Sequence, residues 1–407
     1  MFLDNLKKYF RVNDGKEAIK PEYSSPKNEY YSKVSERFGT AQMILYVVLT
    51  VVVLVSLMIN SEWITYENFY YFFSDMGDYI TASDSKIEDV LYNVDRKQVF
   101  SCYNGKFAVA GNSGLKLYTA SGRLIIDDGD KILNPKLEDS DVYLLMYDQG
   151  HTEFRIYNIF TEVFSADTEF PIYGADISDS GNFALITTDD KNVSSVHLYS
   201  NKFKLQKTYR RTDYVVDVAL NSAGSRLAFL SYSYKNGKIV TNISMARTSK
   251  NEPYAEMSFE GSFPLYCGFT SANKFLVVCN DRLMSFSDNG DLLEEYSFES
   301  GAEVAFADLN EFGLAAVIKN QQKFTVTVFD RNGKEVYNNL LSGTVEQIAL
   351  NGDSVFLKKD VEIEKIDLVT KNTASIDNAD FGGFMLPKNE NELLICLPAR
   401  VRYIVFE

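Results

Sequence analysis

The chain has 407 residues, 24% of them charged, and a net charge of −15. The first 40 residues hold eight basic and six acidic groups, leaving 33 basic against 50 acidic beyond them, a balance of −17. That balance disfavours a nucleic-acid partner, and an anionic membrane surface for the C-terminal bulk of the chain.

Residues 1–40 read as a largely disordered tail. Phe2, Leu3, Leu6 and Phe10 fall at helical spacing beside Lys7, Lys8 and Arg11. A short basic amphipathic helix there would lie on an anionic leaflet or dock on a cytoplasmic partner; the alternative is a tail disordered throughout. Residues 12–32 are polar, with two prolines, and read as a linker.

Between Arg37 and Glu62 no residue carries a charge, and Ala41 to Ile59 is almost wholly apolar. As a helix, these 19 positions span about 28 Å, close to the ~30 Å hydrocarbon core of a bilayer. Residues 41–60 are therefore expected to form one transmembrane helix. Lys33 and Arg37 precede the run, whereas Glu62, Glu67, Asp75 and Asp78 follow it with no Lys or Arg before Lys86. The positive-inside rule then places the N-terminus in the cytoplasm and the rest outside the cell membrane. No small-x-small pattern follows Ile59, so the segment reads as an uncleaved signal anchor. Residues 61–84 hold Trp63, Tyr66, Phe69, Tyr70, Tyr71, Phe72 and Phe73. They read as an aromatic juxtamembrane stalk or an interfacial belt.

From residue 85 to 407 the chain repeats. LKLYTASGRLI (115–125), LMSFSDNGDLL (283–293) and VTVFDRNGKEV (326–336) are each a strand, a polar turn with Gly and a second strand. Tyr118, Tyr157, Tyr199, Met245, Phe286, Phe329, Ile366 and Phe406 align at intervals of 39, 42, 46, 41, 43, 37 and 40 residues. Units of this length with four short strands each are the signature of a propeller. The expected fold is all-β, an eight-bladed β-propeller. Seven blades is the alternative, because the Met245 unit is irregular and the Ile366 unit short. The last unit stops one strand short, and SKIEDVLYNV (85–94) is available to close the ring as its outer strand.

ADISDSGNFALIT (175–187), DVALNSAGSRLAFLS (217–231) and YCGFTSANKFLVV (266–278) resemble the blade turn of TolB-like and WD40-type propellers, without the Pro and the Trp-Asp signature. Tail, span and propeller together resemble an uncharacterised family of Gram-positive bacterial membrane proteins. The resemblance implies topology and architecture, not an activity.

Cys102, Cys267, Cys279 and Cys396 show no metal spacing. Cys267 and Cys279 would pair across a hairpin only in one register. His197, inside VHLYS, reads as a satisfied strand residue, and a lone His151 makes no metal site. No Ser-His-Asp arrangement or G-x-S-x-G elbow occurs. Asp380-Phe381-Gly382 spells a kinase triplet without its companion motifs. Quinoprotein dehydrogenases share the eight-blade form, but their pinning tryptophans are missing here, so no cofactor is expected. Asp127, Asp128 and Asp130, and Asp176 with Asp179, lack the calcium-loop pattern.

The expected function is non-enzymatic: a membrane-anchored propeller presenting a protein or glycan site outside the cell. A propeller enzyme acting on cell-wall glycan through paired carboxylates is the alternative. The ligand face is expected on loops joining second to third strands, including 148–151, 232–236 and 280–282. Asp148, His151, Tyr232, Tyr234, Lys235 and Asp281 are the candidate partner-binding residues.

Overall fold

The structure is a computed structural model that describes residues 29–59, 90–93, 95–119, 122–250, 252–377 and 382–406. The expectations for the tail before residue 29 and for the stalk at 61–84 lie outside these residues. The chain divides into two units, Met1–Phe72 and Phe73–Glu407.

In the first unit a helix, α1 (Glu29–Ile59), covers the apolar run. Its described side chains, 41–56, are all exposed. Among the described residues no helix is long and apolar enough to cross a membrane. The expected span is thus not established by the structure.

The second unit is a ring of eight four-stranded antiparallel sheets among the described residues. Blades 1 to 7 are contiguous: 99–128, 135–167, 172–211, 214–260, 264–297, 303–341 and 345–377. Blade 8 takes three strands from 384–405 and its outermost from Val90–Leu91. Val90 lies opposite Val401 and Leu91 opposite Arg400. The expected closure is present, and the count is eight rather than seven. All the aligned repeat residues fall in third strands except Phe406, which directly follows one.

Each blade is buried on both sides, which accounts for second strands that are buried throughout, such as Leu144–Asp148 and Phe275–Cys279. Successive side chains point to opposite faces, so Phe183 and Leu185 pack toward blade 2 while Ala184 and Ile186 pack toward blade 4. The result is eight apolar clusters, one between each pair of neighbouring blades, with Val90, Phe107, Leu394 and Val401 joining blade 8 to blade 1. Outer strands such as Leu292–Ser297 alternate between exposed and half-buried.

Cys267 lies opposite Val277, and Cys279 opposite Pro264, so the two thiols do not face each other. All four cysteines are free.

Candidate functional site

Two features stand out, on opposite faces of the ring. The first is a central cavity of about 840 Å³, lined by the later parts of the inner strands and the turns that follow them. It therefore opens on the face of the first-to-second-strand turns, not on the face expected to bind ligand. Glu138, Asp139, Asp141, Asp176, Asp179, Asp217, Asp308 and Glu311 line it, with Lys388 at one side.

Several of these carboxylates hold the ring together. Asp176 in blade 3 accepts the Leu220 backbone N–H of blade 4 at 2.5 Å. Asp217 accepts the Cys267 N–H of blade 5 at 2.8 Å, and Asp308 of blade 6 accepts the Leu350 N–H of blade 7 at 2.7 Å. Gln347 makes the same reach to blade 8, accepting the Met385 N–H at 2.7 Å and donating to its carbonyl at 2.6 Å. Ser101 of blade 1 donates to Asp139 of blade 2 at 2.7 Å. Bulges after Val215 and Val345 bring Asp217 and Gln347 into these positions.

Burial outweighs these hydrogen bonds. It raises the carboxyl of Asp176 to about 7 and those of Asp217 and Asp308 to about 6. Glu138 is pushed well up by burial and then by Asp176 and Asp217. Asp139, open to the cavity yet walled by protein, is also raised by burial. Burial thus raises all five of these carboxyls.

The second feature is the hairpin of blade 4. Its strands Arg226–Lys235 and Lys238–Arg247 meet at Asn236-Gly237, with φ of 52° and 76°. Two central residues with positive φ make a tight primed turn, for which Asn-Gly is the favoured pair. From the equivalent buried positions, Leu227 and Phe275, the second strand runs eight residues to Lys235 in blade 4 and four to Cys279 in blade 5. The hairpin overtops blade 5 by four residues, or about 13 Å. Ala228 and Leu230 pack against blade 5. By alternation Tyr232 and Tyr234 point the same way, beyond the place where blade 5 ends.

The uncovered strip is aromatic. Tyr232 stacks on Tyr214 with centroids 5.1 Å apart and planes 16° apart, meets Tyr234 at 85°, and touches Phe263 of the blade 4–5 connection at 5.1 Å. Tyr214 is 50% exposed and Tyr234 65%. Beside it lies the turn of blade 5. Asn280 is exposed and accepts the Phe263 N–H at 2.6 Å, while Asp281 Oδ2 accepts from Ser262 at 2.9 Å and from Arg282 at 3.0 Å. Asp281 Oδ1 is buried with no hydrogen-bond partner.

The expected site residues divide accordingly. Tyr232, Tyr234 and Asp281 come together in this notch. Tyr232 to Lys235 are strand residues rather than a loop, paired with Thr241 to Lys238. Lys235 sits on the hairpin's other side by alternation. Asp148 and His151 lie in blade 2 and do not join them. Asp148 is buried and accepts the N–H groups of Leu133 and Asn134, fixing the connection from blade 1, and His151 lies 3.2 Å from it. His197 is held between Thr187 and Thr208 at 2.9 and 3.1 Å, with burial lowering its pKa. Asp128 and Asp130 face the Arg155 guanidinium at 2.9 and 2.8 Å. Among the described residues no group of side chains is arranged to hold a metal.

A family model described as a family of unknown function, DUF5711, matches residues 77–404. The chain belongs to the DUF5711 family. The match covers the whole ring and leaves the apolar run outside it. Among curated proteins none matches in sequence. BamB from Moraxella catarrhalis is similar in structure, with TM-score 0.52 at 12% identity, over 79% of this chain and 98% of that one. A eukaryotic initiation factor gives 0.53 at 14% identity over 76% and 83%, and the Dos1 propeller 0.50 at 9% over 73% and 85%. At such identities the DUF5711 chain shares with them a fold and no more.

Proposed function

We propose that this chain is a membrane-anchored binding module, with its N-terminus in the cytoplasm and its propeller outside the cell docking a protein or glycan. The observation that carries the reading is the tyrosine notch of blade 4. Soluble surfaces scatter their apolar side chains singly, and contiguous exposed patches mark contact sites. Tyrosine is also a favoured anchor at such sites. The notch stands on a rigid two-residue turn, so little ordering is needed on binding.

The anchor is supported by the uncharged run 38–61, most of which lies within α1, and by the basic flank before it. An impermeant thiol reagent on intact cells is expected to modify a cysteine at Asn289, which is exposed, and not one at Ser25. Labelling in the reverse sense overturns the topology. A photoreactive side chain at Tyr234 is expected to crosslink an envelope component in cells, and the same group at exposed Asp353 is not. Equal capture at both removes the notch from the binding surface.

One observation favours the second reading, a glycan-active enzyme. Burial, and then Asp176 and Asp217, push the Glu138 carboxyl well above its ordinary range, the direction a general acid requires. The ties of Asp176 and Asp217 to the neighbouring backbone speak for a structural role instead. Release of reducing sugar from cell-wall glycan, abolished by Glu138→Gln, would establish the enzyme.

A further inference from the structure

From the geometry of the blade 4–5 notch we infer that its ligand is an uncharged glycan of pyranose rings, held by a chain end or bend. The inference rests on the binding reading above and names the partner class of that site.

A pyranose presents a flat face of C–H groups, partially positive, that matches the negative face of an aromatic ring. Tyr214 and Tyr232 lie nearly parallel, whereas Tyr234 stands at 85° to Tyr232. A long flat polymer would need coplanar rings in a row. A corner of rings instead clasps one or two sugar units. Hydroxyl groups need short-range donors and acceptors beside the rings. Asn280, whose Oδ1 is engaged by the Phe263 N–H, keeps its amide donors on an exposed residue. Arg282, bound to Asp281 through Nε and Nη2 and to Glu295 through Nη1, adds only its remaining N–H donors. A protein partner of ordinary size covers some 800 Å² and asks for a broad apolar centre, whereas here a narrow aromatic strip adjoins polar groups.

Charge selects the neutral class. On the notch side the cations are matched, Arg282 by Asp281 at 3.0 Å and Glu295 at 2.7 Å, and Lys238 lies 3.6 Å from Glu260, while the exposed Lys235 turns to the hairpin's other side by alternation. The chain as a whole carries −15. A uronic acid or phosphate-bearing polymer would meet repulsion with only Lys235, on the hairpin's other side, to offset it.

The test uses the full-length chain in detergent, titrated with tetramers of glucose, N-acetylglucosamine and galacturonate by calorimetry. One of the two neutral tetramers is expected to bind saturably, with galacturonate at least tenfold weaker. Tyr234→Ala should weaken binding at least tenfold with unchanged Tm, and Tyr234→Phe should stay within about threefold. Tyr232 is part of the stack, so Tyr232→Ala is read only beside its Tm. No binding of either neutral tetramer, or binding indifferent to Tyr234→Ala, overturns the inference. So does a Tyr234 crosslink in cells that glycosidases leave intact and proteases remove, although that result keeps the binding module itself. Absence of any crosslink at Tyr234 overturns both.

Discussion

Asp176, Asp217 and Asp308 each give a carboxylate oxygen to a backbone N–H of the following blade, in a place where burial disfavours the charge. A neutral acceptor of the same shape should serve as well. Asp308→Asn is therefore expected to leave Tm at pH 8 unchanged or raised. Asp308→Ala leaves the Leu350 N–H without its acceptor, which costs about 1–3 kcal/mol. A drop of roughly 2–8 °C in a thermal melt is the expected reading. Equal losses in both variants would show that the ionised carboxylate, and not the hydrogen bond, holds the blades together.

At the scale of elements, the closing strand and the blade 4 hairpin make opposite predictions. Val90 is buried between blades 8 and 1, whereas Leu91 beside it is 74% exposed. Val90→Asp places an unpaired charge in that cluster and is expected to lower Tm by about 10 °C or more, with Leu91→Asp within about 1 °C. The hairpin tip stands outside the ring, so its loss should be local. Replacing Asn236-Gly237 by Ala-Ala puts a Cβ at positive φ in place of Gly237, costing about 1–2 kcal/mol, and removes the tolerance of positive φ that Asn236 has and alanine lacks. Hydrogen exchange at residues 232–241 should quicken while the global Tm holds. A global loss would mean that the hairpin tip helps hold the ring.

For the whole molecule the cavity carboxyls set a pH dependence. Their folded pKa values, about 7 for Asp176 and about 6 for Asp217 and Asp308, exceed the ordinary carboxylate value of 3.8. Between those limits the folded state binds more protons than the unfolded one, so stability falls as pH rises through the folded values. Other groups pull the opposite way. Asp128 and Asp213 are held low against burial by hydrogen bonds, from Tyr157 and Arg155 to the former and from Arg211 and Ser231 to the latter. Their contribution is lost only as pH drops below the ordinary value. Stability should therefore peak near pH 5, with Tm there exceeding that at pH 8 by about 5 °C or more. A flat profile from pH 5 to 8 would show that these carboxyls titrate normally. In Asp308→Asn the pH 5 to 8 difference should shrink.

The blade count and the closure by residues near 90 were legible because a propeller writes its period into the chain. Each blade buries both faces of its middle strands, so an aromatic or aliphatic residue recurs near every 41 positions, from Tyr118 to Phe406. The satisfied state of His197 was legible for the same reason, lying within an alternating strand. What escaped were relations between blades. Asp176 read as an acidic turn residue, although a carboxylate placed just ahead of the turn in ADIS and ADLN was a signal that it serves a backbone outside its own blade. The segment around Tyr232 read as a loop because its aromatics interrupt the turn pattern, yet YKNGK carried the signal for a primed two-residue turn. No sequence pattern told that blade 5 ends four residues sooner than blade 4, which is what leaves the tyrosines uncovered. Local alternation and period are properties of one strand and its repeat, so the sequence by itself determined the architecture. Which face holds the cavity, and which aromatics lack a neighbour, depend on differences in length between elements that touch only in three dimensions, and the tertiary structure alone decided them.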